Sequence, residues 1–211
     1  MNRAAALLLL CTAAASAAER AGIEVVLERE RGEWQAIDPR TVLDAGDHIR
    51  FRLNSGAAGW LYVYAAESGG KRGWLIPEGP KDTGYRVEAG AAYRIPASPA
   101  SYTVSGPEGY DVLYWILSPR PLAAELLLPA KPDAPRTLRP RCPESLPAGD
   151  PCLDDHAGPS LAAKPISRPV QGLRARALQI DRRDAVTLIE PADRSLGLIV
   201  YEFHLAHRGP K

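Results

Sequence analysis

The sequence predicts an all-β fold, an antiparallel β-sandwich. Between Leu43 and Ser118, short apolar segments recur about every ten residues, with glycine and proline between them. No helical spacing of apolar residues runs through this stretch. Residues 48–54 alternate polar and apolar side chains, which is typical of a strand with one buried face.

The predicted strands follow one another in order, with turn residues between them. Residues 23–27 and 34–37 form an N-terminal hairpin around Arg31-Gly32. Further strands are predicted at residues 48–54, 60–66, 73–76, 85–87, 93–95, 102–104 and 110–117, and then, after one or two helical turns within 121–128, at 173–180, 185–189 and 198–206.

These elements predict four regions in the chain of 211 residues: a signal peptide at 1–18, a β-sandwich core at 19–128, a proline-rich excursion at 129–169, and C-terminal strands at 170–211. In the excursion proline recurs and the hydrophobic period vanishes, so a second core is not expected there. The C-terminal strands are too few to be stable alone, and we expect them to complete the same sandwich.

The N-terminus has the pattern of a secretory signal peptide. Arg3 precedes an apolar run at residues 4–15, and small residues at 16–18 favour cleavage before Glu19 or one residue earlier. The protein is therefore expected in the periplasm or outside the cell. A retained membrane anchor is the alternative, but the run is short for a membrane span.

The cysteines indicate one disulfide. Cys11 lies in the leader, and Leu10 before it lacks the small size expected before a lipidated cysteine, so a lipoprotein is not predicted. Cys142 and Cys152 remain, and an even pair in an exported protein favours a bridge. Two free thiols are the alternative.

Charge and hydropathy exclude several partners. Loss of Arg3 with the leader leaves equal numbers of basic and acidic residues, which argues against nucleic acid as a partner. No polybasic block is present to bind anionic lipid. No second hydrophobic run approaches the length of a membrane span, so the mature chain is expected to have no transmembrane segment.

The sequence predicts no enzyme and no cofactor. It has no Gly-x-Ser-x-Gly elbow, no His-Glu-x-x-His pair and no glycine-rich phosphate loop. His48 and His204 are expected on the polar faces of strands, and His207 is expected to fray near the C-terminus.

One acidic cluster could hold a metal ion. It consists of Asp150, Asp154, Asp155 and His156, whose oxygen ligands would suit calcium. The spacing does not fit the twelve-residue calcium loop, and acidic residues at a turn are usually solvated, so no metal site is predicted.

Five aromatic residues are the candidate binding residues. Trp60, Tyr62 and Tyr64 share one strand face, and Trp74 and Trp115 are expected near them, as are Tyr93, Tyr102 and Tyr114. An exposed strip of such rings could stack on sugars or receive a partner protein. The competing interpretation is that most of these rings fill the core.

The segment at residues 45–118 resembles the bacterial domain of unknown function 4384. The resemblance rests on Gly46-Asp47 before the alternating strand, on the strand that begins Gly59-Trp60-Leu61-Tyr62, and on Ile76-Pro77, Ile95-Pro96 and the turn at 105–109. It implies an immunoglobulin-like β-sandwich of exported or membrane-attached bacterial proteins. It implies no activity and no catalytic residues.

The expected function is therefore a non-catalytic binding or scaffold module of the bacterial envelope that contacts another envelope protein. The alternative is a carbohydrate- or cell-wall-binding module that uses surface aromatics. The sequence indicates neither the strand order nor the oligomeric state.

Overall fold

The structure is a computed structural model, and it describes residues 22–129, 139–142, 146–147, 150–161, 170–192 and 197–210. The predicted signal peptide lies outside the described residues. The strands are β1 (Ile23–Arg31), β2 (Glu33–Ile37), β3 (His48–Ser55), β4 (Gly59–Ala66), β5 (Arg72–Ile76), β6 (Tyr85–Val87), β7 (Ala92–Ile95), β8 (Tyr102–Thr103), β9 (Gly109–Ser118), β10 (Gly158–Leu161), β11 (Leu178–Arg183), β12 (Val186–Pro191) and β13 (Ile199–His207). A 3-10 turn occupies Ala124–Leu127.

Two antiparallel sheets form the predicted sandwich. Sheet I has seven strands in the order β11-β12-β1-β3-β7, with β2 also paired to β1 and β8 also paired to β3. Sheet II has six strands in the order β10-β13-β9-β4-β5, with β6 also paired to β4. Strands from both ends of the chain therefore complete the same two sheets.

The core lies between the sheets and follows from the alternation within the strands. Ile49, Phe51 and Leu53 of β3 are buried, as the pattern predicted. The Phe51 ring meets Trp115 edge-on at 5.0 Å between ring centroids, and it meets Phe203 at 5.1 Å. Burial of each such side chain stabilises the fold by roughly 1.5–3 kcal/mol. The rings of Phe51, Trp115 and Phe203 join β3 of sheet I to β9 and β13 of sheet II.

Two elements differ from the prediction. Gly158–Leu161 forms β10 within the predicted excursion and pairs with β13. Its Gly-Pro start resembles a turn in sequence, but an edge strand tolerates proline because one side needs no donor. The strand predicted at 173–180 begins only at Leu178. Before it, Leu173 and Ala175 make isolated bridges, which agrees with their imperfect alternation.

The predicted disulfide joins Cys142 to Cys152, with 5.4 Å between their Cα atoms. It holds the segment around Cys152 against the start of the core, where the amide N–H of Val42 donates to the Cys152 carbonyl at 2.8 Å. A bridge that closes so short a loop contributes about 2–3 kcal/mol in the chain-entropy view.

Within the ranges that the structure describes, no helix is both long enough and apolar enough to cross a membrane.

Candidate functional site

The two lateral edges of the sandwich are built differently. On one side β10 and β11 lie against each other, and the Arg182 guanidinium of β11 donates to the Pro159 carbonyl of β10. We call this the closed edge. On the other side, β7 and β8 lie end to end along β3, and β5 and β6 lie end to end along β4. We call these four strands the open edge.

A groove of about 780 Å³ lies along the open edge. This volume falls within the range typical of ligand-binding clefts. Most of its lining is apolar or aromatic, with Arg52, Arg94 and Glu78 as the charged members. The apolar and aromatic side chains that line it are Leu75, Ile76, Pro77, Tyr85, Ala92, Tyr93, Ile95, Pro96, Ala97 and Tyr102.

An aromatic pair connects the two sheets beside the groove. Tyr85 of β6 and Tyr93 of β7 meet edge-on, with 5.7 Å between ring centroids. The Tyr93 hydroxyl accepts a hydrogen bond of 2.7 Å from the amide N–H of Glu88, which fixes that ring. Tyr85 is 54% exposed, more than any other large apolar or aromatic side chain in the groove wall. Its free ring face is therefore available to a bound molecule.

Tyr102 is a partly buried residue of the groove lining. Burial raises the pKa of Tyr102 to about 12, so its hydroxyl stays protonated at any physiological pH. Tyr102 and Leu75 also line a second cavity of about 120 Å³, which reaches Asp111 and His207 inside the sandwich.

The groove wall at β6 depends on a close backbone approach. Gly84 lies directly on β4, where an added Cβ would overlap the Leu61 carbonyl oxygen and come within 2.8 Å of the Tyr62 ring. Only glycine fits there without displacement of β4 or β6. Gly84 therefore fixes the distance between Tyr85 and β4.

The comparison with protein families concerns the segment that contains the groove. The family described as a domain of unknown function, DUF4384, matches residues 42–121. Residues 42–121 are similar to DUF4384. The resemblance predicted from the sequence is confirmed over this segment. Neither the curated proteins nor the solved structures gave a significant match to the chain.

The DUF4384-like segment contains the whole groove, from Arg52 to Tyr102. It also contains every strand of the open edge, together with β3, β4 and β9. The closed edge and its neighbours β1, β12 and β13 lie outside it. The family segment thus supplies three of the seven strands of sheet I and four of the six strands of sheet II, all on the side of the open edge.

The structure brings four of the five aromatic residues predicted to bind a ligand, Trp60, Tyr62, Tyr64 and Trp74, together on the outer side of sheet II. Trp115 lies in the core and stacks on Tyr201, with 6.1 Å between centroids. Tyr62 and Tyr64 project to the outer side of sheet II but are buried there.

Trp60 and Trp74 are partly exposed. Trp74 packs against the Tyr64 ring at 5.1 Å, and the Arg86 guanidinium covers Trp60 at 5.0 Å from the ring centroid. The Tyr62 hydroxyl donates to the Leu122 carbonyl at 2.8 Å, so it anchors the chain after β9. None of the five predicted residues lines the groove.

Sequence reasoning placed Tyr93 near the candidate rings but did not identify Tyr85, Tyr93 and Arg94 as lining one groove. Each lies on a strand of three or four residues, in the DUF4384-like segment. The available signal was the shortness of these strands and the proline after each of β5 and β7, since both features are typical of sheet edges.

His207 corrects one expectation. It was expected to fray, but it is the last residue of β13 and its side chain is fully buried. Its Nε2 lies 3.3 Å from the Asp111 carboxylate and 3.3 Å from the Ser68 hydroxyl. The reason is that β13 is central in sheet II and remains paired with β9 to its end.

These three residues do not have the arrangement of a Ser-His-Asp triad. In a triad the serine and the carboxylate contact opposite ring nitrogens. Here both contact Nε2, and the Ser68 hydroxyl donates to the Pro107 carbonyl at 2.9 Å. The cluster therefore ties the loops around Ser68 and Pro107 to the end of β13.

In the acidic cluster considered for metal binding, Asp154 accepts hydrogen bonds from backbone N–H groups. The Asp154 carboxylate accepts the amide N–H groups of Arg141 at 2.7 Å and of His156 at 2.8 Å. Burial alone would raise the pKa of Asp154, but these hydrogen bonds outweigh it and lower the pKa. Among the described residues, no group of three or more His, Cys, Asp or Glu side chains could hold a metal ion.

Proposed function

We propose that the protein is an exported, non-catalytic binding module of the bacterial envelope, and that a segment of another envelope protein occupies the groove at the open edge. The observation that carries this proposal is the groove itself: a cleft of about 780 Å³, mostly apolar, between the exposed edges of two sheets. Edge strands beside apolar pockets are a recurrent way to bind extended peptides.

The proposed location is supported by two features. The N-terminal sequence has the order of a signal peptide, with a basic residue, an apolar run and small residues. The Cys142–Cys152 bridge is of a kind that persists in oxidising compartments. We expect the mature protein to begin at Glu19, and N-terminal sequencing of the exported protein tests this.

The alternative, binding of carbohydrate or cell wall through surface aromatics, has weaker support. Three of the five rings predicted for it, Tyr62, Tyr64 and Trp115, are buried and present no face to a sugar. Tyr85 in the groove is the ring best placed to stack on a sugar, so the experiment must include this outcome.

The test is site-specific photo-crosslinking in envelope extract. A photoreactive phenylalanine analogue replaces Tyr85 in the full chain, and a matched control carries it at Leu161 on the closed edge. The two residues are almost equally exposed, at 54% and 55%. We expect a discrete protein adduct from position 85 and none from position 161.

Two results would contradict the proposal. One is the absence of a protein adduct at position 85, and the other is the same adducts from both positions. Retention of the wild-type chain on purified cell-wall sacculi, abolished by Tyr85→Ala, would favour the carbohydrate alternative.

A further inference from the structure

The groove follows the edge of β7 rather than either face of its sheet. In a strand, successive side chains point to opposite faces. All four residues of β7, Ala92 to Ile95, nevertheless line the groove. A cavity that touches side chains of both orientations must run alongside the strand. It therefore has the position that a neighbouring strand would occupy.

The backbone of β7 is free on that side. Its ladder runs only to β3, with Tyr93 opposite Leu53 and Ile95 opposite Phe51. In the described part of the chain, Ala92–Ile95 make no main-chain hydrogen bond outside that ladder. Backbone N–H and C=O groups on the outer side are thus available to an added strand.

The outer face of sheet I shows which residue such a strand would need. Side chains that lie opposite one another on adjacent strands form rows across a sheet, and opposite charges in a row are stabilising. In one row, Glu28 of β1 lies opposite Arg50 of β3, and their side chains pair at 2.6 Å. This row is balanced within the molecule.

The next row carries positive charge and contains no carboxylate. It runs from Val26 through Arg52 to Arg94, so two cations lie side by side. Arg52 reaches Glu28 in the neighbouring row at 3.5 Å. Arg94 is exposed, and no acidic group among the described residues pairs with it. The next position in this row lies on the strand that would be added to β7.

The strands of the open edge contain Arg72, Arg86 and Arg94 and no acidic residue. The nearby carboxylates lie in loops: Glu88, just after β6, pairs with Arg86 at 2.7 Å, and Glu78 lines the groove after β5. No open-edge strand of a second copy would therefore bring a carboxylate of its own beside Arg94. The edge favours an acidic partner over self-association.

We propose that β7 accepts an extended peptide segment with the pattern apolar–acidic–apolar, whose carboxylate lies beside Arg94. The two flanking apolar residues then lie beside Tyr93 and Ile95 and enter the groove. This pattern holds for either strand direction, because the neighbours of the residue opposite Arg94 always face inward. The inference rests on the proposed function and specifies its ligand.

The test uses two probe peptides of about nine residues. Both alternate threonine and valine, and they differ only in the central threonine position, which is aspartate in one and lysine in the other. Binding to the full chain is measured by fluorescence anisotropy at low ionic strength. We expect the aspartate peptide to bind roughly threefold to fivefold more tightly, the effect of one exposed ion pair.

Charge reversal assigns the effect to its residue. Arg94→Glu is expected to invert the preference, so that the lysine peptide binds more tightly. The matched control is Arg183→Glu on the closed edge, where Arg183 is also exposed, and it is expected to leave the preference unchanged. Circular dichroism verifies that each variant keeps the wild-type strand content.

Equal binding of both peptides, no binding of either, or inversion by Arg183→Glu would overturn the inference. The photo-crosslink at position 85 separates this failure from failure of the proposed function. If the adduct forms while the peptides show no charge preference, the groove binds a protein and the apolar–acidic–apolar pattern is wrong.

Discussion

The closed and open edges of this sandwich share one core but leave their outer strands in different states. At the closed edge, β10 and β11 lie together and a guanidinium joins them. At the open edge, short strands are interrupted by loops with prolines, and a groove separates the two sheets. Val87 and Ile95 of the open edge belong to the core, so the two edges differ in how their outermost strands meet and not in whether they contribute to the core.

A protective role could also explain short, basic, proline-flanked edges, because they resist edge-to-edge aggregation. Protection and binding make different predictions. Protection requires only that the edge strands be charged and interrupted by proline. Binding also requires the Tyr85 and Tyr93 rings and the groove wall at β6 to be in place. The following predictions compare the two edges, beginning with the largest effect.

The largest difference is expected between a ring behind the open edge and a ring on it. Phe51→Ala removes a fully buried ring that contacts Trp115 and Phe203 and should lower the free energy of unfolding by about 3–5 kcal/mol. Tyr85→Ala removes a half-exposed ring and its edge-on contact with Tyr93, so it should cost only about 0.5–1.5 kcal/mol. Urea unfolding measures both. A loss in Tyr85→Ala as large as that in Phe51→Ala would contradict the placement of Tyr85 outside the core.

The groove wall gives the second prediction. Gly84→Ala should cost about 1–3 kcal/mol, because the new methyl group meets the Leu61 carbonyl and the Tyr62 ring. Gly73→Ala on β5 is the control, since nothing lies within 4 Å of the added Cβ and the expected change is within about 0.5 kcal/mol. Equal thermal midpoints for the two variants would contradict this account.

The third prediction concerns the closed edge. Arg182→Met removes the hydrogen bond to the Pro159 carbonyl and should cost about 0.5–1.5 kcal/mol. Arg183→Met breaks only an exposed pair with Asp181, so a change within about 0.5 kcal/mol is expected. Hydrogen exchange at β10 should accelerate in the first variant alone. Unchanged exchange would show that the guanidinium does not hold the closed edge.

The smallest expected effect is a pH dependence from the second cavity, next to the groove. Burial would lower the pKa of His207, but the Asp111 carboxylate, the Arg208 carbonyl and Glu108 outweigh it and raise the pKa. Glu67 and Ser68 face the same region. The resulting stabilisation is complete below the unfolded-state pKa of about 6.5 and is lost as pH rises through the higher folded-state value.

We therefore expect the free energy of unfolding to fall as pH increases above about 6.5. His207→Gln should remove this part of the pH dependence, while His48→Gln, at an exposed residue on β3, should retain it. Urea unfolding at a series of pH values measures it. An identical pH profile in His207→Gln would contradict the assignment.

The strands were largely predictable because their local patterns are strong. Alternation identified β3 and β13, and the turn residues bounded β4, β6 and β9. Strand order was not predictable, since which strand becomes an edge depends on pairing between distant segments. For this reason the groove, which exists only between edges, was missed.

The burial of individual rings was not predictable either. In β4 and β9 apolar residues occupy both faces, so period-two alternation does not show which ring enters the core. Trp115 and Tyr62 were therefore grouped together, although they lie on opposite sides of sheet II. β10 was missed because its Gly-Pro start carries the signal of a turn.

β1 and β13 lie outside the DUF4384-like segment, yet each completes one of its sheets. β3 pairs with β1, which precedes the family segment, and β9 pairs with β13, which follows it. In both sheets, therefore, the strand next to the family segment comes from outside it. The segment that matches the family model is thus smaller than the set of strands that forms the two sheets. Residues 42–121 produced alone would leave β3 and β9 unpaired on one side, so they should form a loosely ordered, aggregation-prone species.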